Sequence, residues 1–219
     1  MKSETKAVLS VVFGILGFIS ILFGLIAVYF GYKARKETNL KKGNNGFYLG
    51  ITVSIINVVA LITVYLILPK TLNTSYPFAA FLSESMEHNA NFDDWWGTHG
   101  DWYIQNGIER EQFLTYSFKN GIYKGDLVIT KGLPSDEFQI GDVLLFWSSK
   151  KEPIMHRIVK KWNEGDEIYF GTKGDHNPNQ IISSPLDETK INENQIIGKV
   201  IFRISYLGYP KILYSSLLS

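Results

Sequence analysis

Two long apolar runs open the chain, and short alternating runs fill the rest of it. From Ala7 to Tyr32, and again from Phe47 to Leu68, no charged residue appears. Each run meets the roughly 20 apolar residues a helix needs to cross hydrocarbon. The pattern predicts a membrane protein with an N-terminal two-helix transmembrane hairpin, its spans covering about 7–32 and 47–68. The first run is longer than the roughly 7 to 15 residues of a cleavable signal core, and Lys33, Arg35 and Lys36 follow at once, so it is expected to stay in the mature chain. Gly17, Gly24 and Gly31 recur along it at seven-residue spacing, which lets a second helix backbone approach closely.

Beyond Leu68 the texture becomes β-rich. Leu127 to Thr130, Val143 to Trp147, Ile154 to Lys160, Glu167 to Thr172 and Ile196 to Ile204 are strand-like runs. Turn pairs such as Gly125-Asp126, Gly141-Asp142 and Gly174-Asp175 stand where these runs stop. Residues 69–219 are therefore expected to form one β-dominated domain. An insert over about 87–123 breaks the pattern: helix-start signals at Asp93 and Asp94, a breaker at Gly97, and a concentration of Trp95, Trp96, Trp102 and Tyr103 mark a partly helical excursion. Its tryptophans are expected to form a small satellite core, with a lipid interface as the competing setting.

Charge then sets an expected topology. Residues 1–68 carry 7 Lys/Arg against 2 Asp/Glu, and residues 69–219 carry 15 against 19. The loop 33–46 between the apolar runs holds Lys33, Arg35, Lys36, Lys41 and Lys42, so the positive-inside rule puts it in the cytoplasm. The N-terminus and the β-domain would then be extracytoplasmic, on a multi-pass cell-membrane protein. A mildly acidic domain without a clustered basic face is not a nucleic-acid binder. There is no cysteine, which excludes disulfides, thiolate zinc sites and a cysteine nucleophile.

Three motifs bear on chemistry: SESM at Ser83 to Met86, MHRIV at Met155 to Val159, and TKGDHNP at Thr172 to Pro178. A serine hydroxyl becomes nucleophilic by passing its proton to a neighbouring base, and the base needs a partner that fixes its tautomer. Ser85, His156 and Asp175 could fill those roles. Each has a bland reading as well: a solvated serine, a hydrogen-bonded core histidine, a Gly-Asp turn. The order of the three motifs is poorly explained by chance. His88, His99 and His176 read as surface groups, and the four histidines lack zinc-site spacing.

The chain resembles type I signal peptidases over roughly residues 79–204, and among them the branch of archaea and the endoplasmic reticulum, in which histidine replaces the catalytic lysine of most bacterial members. The SxSM box appears as SESM, the GDxV box as Gly125 to Val128, and the next strand start as Ile140 to Phe146. HRIV spans His156 to Val159, TKGDxN spans Thr172 to Asn177, and IxGKV spans Ile196 to Val200. The resemblance implies Ser85 as nucleophile, His156 as general base and Asp175 as the residue that orients the imidazolium. It implies an oxyanion hole of the Ser83 hydroxyl and the Ser85 N–H. Such a donor is worth roughly 3 kcal/mol in the transition state. The branch often carries a second acid about six positions after the GD aspartate. Ile181 stands there, leaving Asp187 or Glu188 as substitutes. The insert is longer than in the compact family pattern, and two apolar runs replace the usual single anchor.

Lys160 and Lys161 follow the base strand, so a Ser/Lys dyad competes with Ser/His. Histidine is favoured because it holds the slot before Arg-Ile-Val, and because imidazole ordinarily titrates near 6.5 whereas lysine must first be desolvated. The resemblance implies a membrane-bound serine endopeptidase that removes signal peptides from exported precursors, without metal or organic cofactor. Its partners would be those signal peptides, the lipid bilayer and the protein translocation machinery. The rival expectations are a noncatalytic membrane-tethered β-domain binding exported or envelope proteins, and a related membrane protease with regulatory substrates.

Overall fold

The computed structural model describes residues 21–38, 41–148, 153–184, 186–209 and 211–213. The chain divides into two units, Met1–Leu68 and Pro69–Ser219. In the first, helices α1 (Ile21–Thr38) and α2 (Lys41–Ile62) pack on each other, and α2 passes into a π-helical turn at Thr63–Ile67. Glycine makes the close approach feasible. A Cβ on Gly50 would lie 2.8 Å from the Val28 nitrogen and 2.9 Å from the Gly24 oxygen.

The expected two-helix transmembrane hairpin is overturned. Among the described residues no helix is long and apolar enough to cross a membrane. In α1 the uncharged stretch Ile21–Tyr32 gives way to Lys33, Arg35, Lys36 and Glu37. The sequence of α2 opens on Lys41, Lys42, Asn44 and Asn45, and its uncharged stretch Phe47–Ile62 ends where the helix widens. The α2 stretch falls short of about 20 residues. Residues 7–20 of the expected first span, with Gly17, lie outside the described residues. The multi-pass topology, with an extracytoplasmic N-terminus and β-domain and a cytoplasmic loop 33–46, rested on those spans and is withdrawn with them.

The second unit is built on a seven-stranded antiparallel sheet. Its strands are β1 (Phe78–Ala80), β2 (Leu127–Lys131), β3 (Val143–Phe146), β4 (Ile154–Glu164), β5 (Glu167–Lys173), β8 (Ile191–Asn192) and β9 (Ile196–Ile204), in spatial order β1-β2-β9-β3-β4-β5-β8. A separate ribbon pairs β6 (Ile182–Ser183) with β7 (Leu186–Asp187). Successive strand residues face opposite ways, and β3 uses both directions. Val143 and Leu145 enter one core with Met86, Val128 and Met155, while Leu144 and Phe146 enter another with Phe138, Ile158 and Phe170. The neighbouring strand β4 is buried from Met155 to Val159, so polar side chains on it are forced to find partners inside the protein.

The insert carries α3 (Phe92–Gln105) and the single turn α4 (Arg110–Phe113). Asn91 caps α3 by accepting from the Asp94 N–H at 3.0 Å, and Asp93 and Asp94 complement the positive end of the helix. Gly97, expected to break the helix, lies within it, because capping and aromatic burial outweigh the roughly 1 kcal/mol cost of one helical glycine. Trp95, Trp96, Tyr103 and Phe113 form a third core that rests on Val159 of β4, giving the satellite core favoured from sequence. This packing brings the insert against the strand that carries His156.

Phe146 is fully buried at the centre of the second core. Phe146→Ala is expected to lower unfolding free energy by about 3–5 kcal/mol. Urea denaturation at an unchanged m-value measures it, and a loss below about 1 kcal/mol would contradict this placement of the core.

Candidate active site

The nucleophile candidate sits in a turn nailed down from below. After β1 the chain enters the Ser83–Met86 segment, where the Glu87 N–H donates to the Glu84 oxygen at 3.0 Å. Met86 is fully buried in the first core, and its carbonyl accepts from the Ile122 N–H at 3.0 Å. Ser85 is left half-buried above it, with its Oγ 2.9 Å from His156 Nε2 and 3.0 Å from Ser83 Oγ. His156 comes from β4, paired in register with Leu144 and shielded from solvent. Its Nδ1 bonds to Glu188 Oε1. Glu188 is fully buried and held by two more donors: Thr172 Oγ1 at 3.2 Å and the Ile181 N–H at 2.7 Å.

Asp175 occupies a different place from the one expected. Its Oδ1 accepts from Tyr103 OH and Arg157 Nε, both at 2.9 Å, and its Oδ2 from Arg157 Nη2 at 2.6 Å and His88 Nε2 at 3.1 Å. The two ring nitrogens of His156 are taken by Ser85 and Glu188, so Asp175 does not orient the imidazole. Strand alternation is the reason: His156 and Arg157 are consecutive on β4 and face opposite ways, and Asp175 lies on the Arg157 side. Burial pushes the Asp175 carboxyl up, but Arg157 and His88 outweigh it and hold it well below the usual carboxylate range. Asp187, named as a second acid, is exposed on β7 and accepts from Thr189 N and Oγ1 at 2.9 and 2.6 Å. The neighbouring Glu188 is the acid that reaches the histidine.

Asp175 nevertheless bears on the nucleophile through the backbone. Its own N–H donates to Met86 Sδ at 3.4 Å, and the next N–H, of His176, donates to the Ser85 carbonyl at 2.9 Å. Gly174 permits this contact: a Cβ there would lie 2.7 Å from the Ser85 oxygen and 2.9 Å from His156 Nε2. Ser83, Ser85 and His156 open into a cleft of about 670 Å³ walled by Ala79, Ala80, Phe81, Ile154 and Met155. Among the described residues no group of three acidic or histidine side chains could hold a metal ion.

No protein-family model matches the chain. It is 33% identical over 110 residues to the signal peptidase complex catalytic subunit sec11 of Neurospora crassa, covering 41% of this chain and 63% of that protein. The corresponding subunits of Colletotrichum graminicola and Metarhizium acridum are 32% and 30% identical, with the same coverage. The chain thus spans less than two thirds of the length of these relatives. The resemblance to type I signal peptidases of the endoplasmic-reticulum branch holds.

Within this signal-peptidase-like site, sequence reasoning missed three groups. Arg157 was passed over as the residue beside the base, yet it is fully buried and also donates to the carbonyls of Ser117, Phe118 and Gly141. Tyr103 was read only as an aromatic of the insert. His88, expected at the surface, is buried and stacked on Trp95 with ring centroids 3.6 Å apart. Burial lowers its pKa against the pull of Asp175. The alternation along β4 was the available signal, since it turns Arg157 into the protein when both faces of the strand are covered.

Asp175→Asn leaves a buried guanidinium without its counter-charge and is expected to cost about 3–5 kcal/mol at pH 7. Because the folded carboxyl titrates low, this contribution is full above the ordinary carboxylate pKa near 4 and fades only as pH falls through the folded value. Urea unfolding of both proteins should diverge at neutral pH and converge in strong acid. Equal stability at pH 7 would count against the ion pair.

Proposed function

We propose that this chain is a serine endopeptidase that cleaves signal peptides from secretory precursors. The observation that carries it is the unbroken contact from Ser85 Oγ through His156 to the buried carboxylate of Glu188. Glu188 accepts from Nδ1–H, so the lone pair of the neutral ring is on Nε2 and faces the serine hydroxyl. Ser85 attacks the scissile carbonyl while Nε2 takes its proton, and the imidazolium then returns that proton to the leaving amine. Water, deprotonated by the same ring, releases the acyl group. Glu188 stabilises the imidazolium. Ser83 Oγ and the Ser85 N–H serve as donors to the oxyanion.

Substrate binding follows from the sheet edge. β1 ends the sheet, pairing only with β2 among the described strands, and its three residues line the cleft. An extended peptide can add along such an edge by main-chain hydrogen bonds, leaving side-chain choice to the shallow apolar walls. That suits the small residues before a signal-peptide cleavage site. The apolar segment of such a peptide brings the reaction to a lipid surface, with the translocation machinery as the source of precursor. The names of the relatives, catalytic subunits of a signal peptidase complex, support the same reading.

Ser85→Ala and His156→Ala should abolish cleavage of a model secretory precursor, and Glu188→Gln should lower kcat by roughly 1,000-fold or more through loss of the correct tautomer. Lys160→Ala and Lys161→Ala should be nearly neutral, since Lys160 is exposed and Lys161 Nζ is spent on the carbonyls of Asp136 and Phe138. Mass spectrometry of the new N-terminus reads the cleavage. Full activity in Ser85→Ala would end the proposal, and precursor binding without cleavage by wild type would return the chain to a binding domain.

A further inference from the structure

One buried cation has no part in the mechanism above. Lys173, the last residue of β5, is fully buried. Its Nζ donates to the Gly174 carbonyl at 3.0 Å and lies against two rings of α3: Tyr103 with its centroid at 4.8 Å and Trp102 at 5.1 Å. The same carbonyl accepts from the Asn177 N–H at 3.0 Å, which closes the 174–177 turn, and within that turn the His176 N–H grips the Ser85 carbonyl. Three steps of direct contact therefore run from the insert through the lysine to the nucleophile.

We propose that Lys173 is a positioning residue for the Ser85–His156 pair, its ammonium held on the Trp102 and Tyr103 rings so that it fixes the Gly174 carbonyl and the turn bonded to Ser85. This inference rests on the peptidase reading and adds a control to that site. The attraction of a cation to a ring face strengthens when both are desolvated and vanishes when the amine is neutral. Burial lowers the pKa of Lys173 to about 8, opposed by Asp175 and Glu188 and assisted by Arg157. The charged and titratable groups around it are Arg157 of β4, Asp175 of the turn, Glu188, and Tyr103 and His99 of α3. Below about pH 8 the ammonium holds the turn, and above it the clamp onto α3 is released, so turnover should fall on the alkaline side.

The test compares wild type with Lys173→Met, Lys173→Arg and Trp102→Leu across pH 6 to 10. Lys173 does not line the cleft, so KM should barely move, whereas misplacement of the nucleophile lowers kcat by about 10- to 100-fold in Lys173→Met. That variant should lack the alkaline fall near pH 8. Lys173→Arg should restore turnover and carry it to higher pH, and Trp102→Leu should move the fall to lower pH. Hydrogen exchange at the His176 amide provides a readout independent of catalysis, expected about tenfold faster in Lys173→Met or Trp102→Leu. If wild type cleaves no precursor, the peptidase reading fails while the exchange measurement still decides the positioning role. Unchanged His176 exchange in the folded variants, or an alkaline fall that none of them displaces, overturns the proposal.

Discussion

The Asp175 carboxylate is the constraint around which the site is assembled. It is fully buried and is bonded by three side chains from three parts of the chain: Arg157 on β4, Tyr103 on α3 and His88 at the mouth of the insert. Removing two charges from water costs several kcal/mol per ion, and the attraction offsets this only when geometry is good and the remaining hydrogen-bonding capacity is used. Arg157 meets that condition by a two-point grip on the carboxylate and by donating to three backbone carbonyls. The insert, β4 and the turn before Asn177 are thereby locked to one point. The His176 N–H transmits that lock to Ser85.

Two carboxylates divide the work that one was expected to do. Asp175 lies on the Arg157 face and governs where the serine stands. Glu188 lies on the His156 face and bonds the Nδ1 side of its ring. The division follows from consecutive residues on β4 pointing opposite ways with both sides buried. An acid on one face does not reach the side chains on the other, so each carboxylate bonds its own set of partners.

Much of the sheet was legible because its signal is local. The apolar runs from Leu127, Val143, Ile154, Glu167 and Ile196 begin where β2, β3, β4, β5 and β9 begin, since alternation and Gly-Asp turns act over a few residues. The contact of Ser85 with His156 was legible through the ordered motifs that carry the resemblance. The choice between Asp187 and Glu188 was not: neighbours in a short extended segment face opposite ways, and only the register of that segment against β5 decides which enters the protein. His88 was misjudged because its flanking residues are polar, while its burial depends on Trp95, seven positions on and reached by the helix. The second apolar run misled in another way, for an uncharged stretch read by length alone takes no account of where the helix widens at Thr63–Ile67.

The site also contains a second nitrogen base beside His156, and geometry separates the two. A desolvated lysine with a pKa near 8 is the kind of group that could activate a serine, and Lys173 is buried within a few residues of the nucleophile's contacts. A general base must first be within reach of the proton it takes. The Nζ of Lys173 is directed to the Gly174 carbonyl and two aromatic faces, whereas the hydroxyl of Ser85 has His156 Nε2 at 2.9 Å. Perturbed titration alone would have nominated the lysine. The hydrogen-bond pattern leaves it behind the turn, and sets the hydroxyl of Ser85 against the imidazole that Glu188 holds.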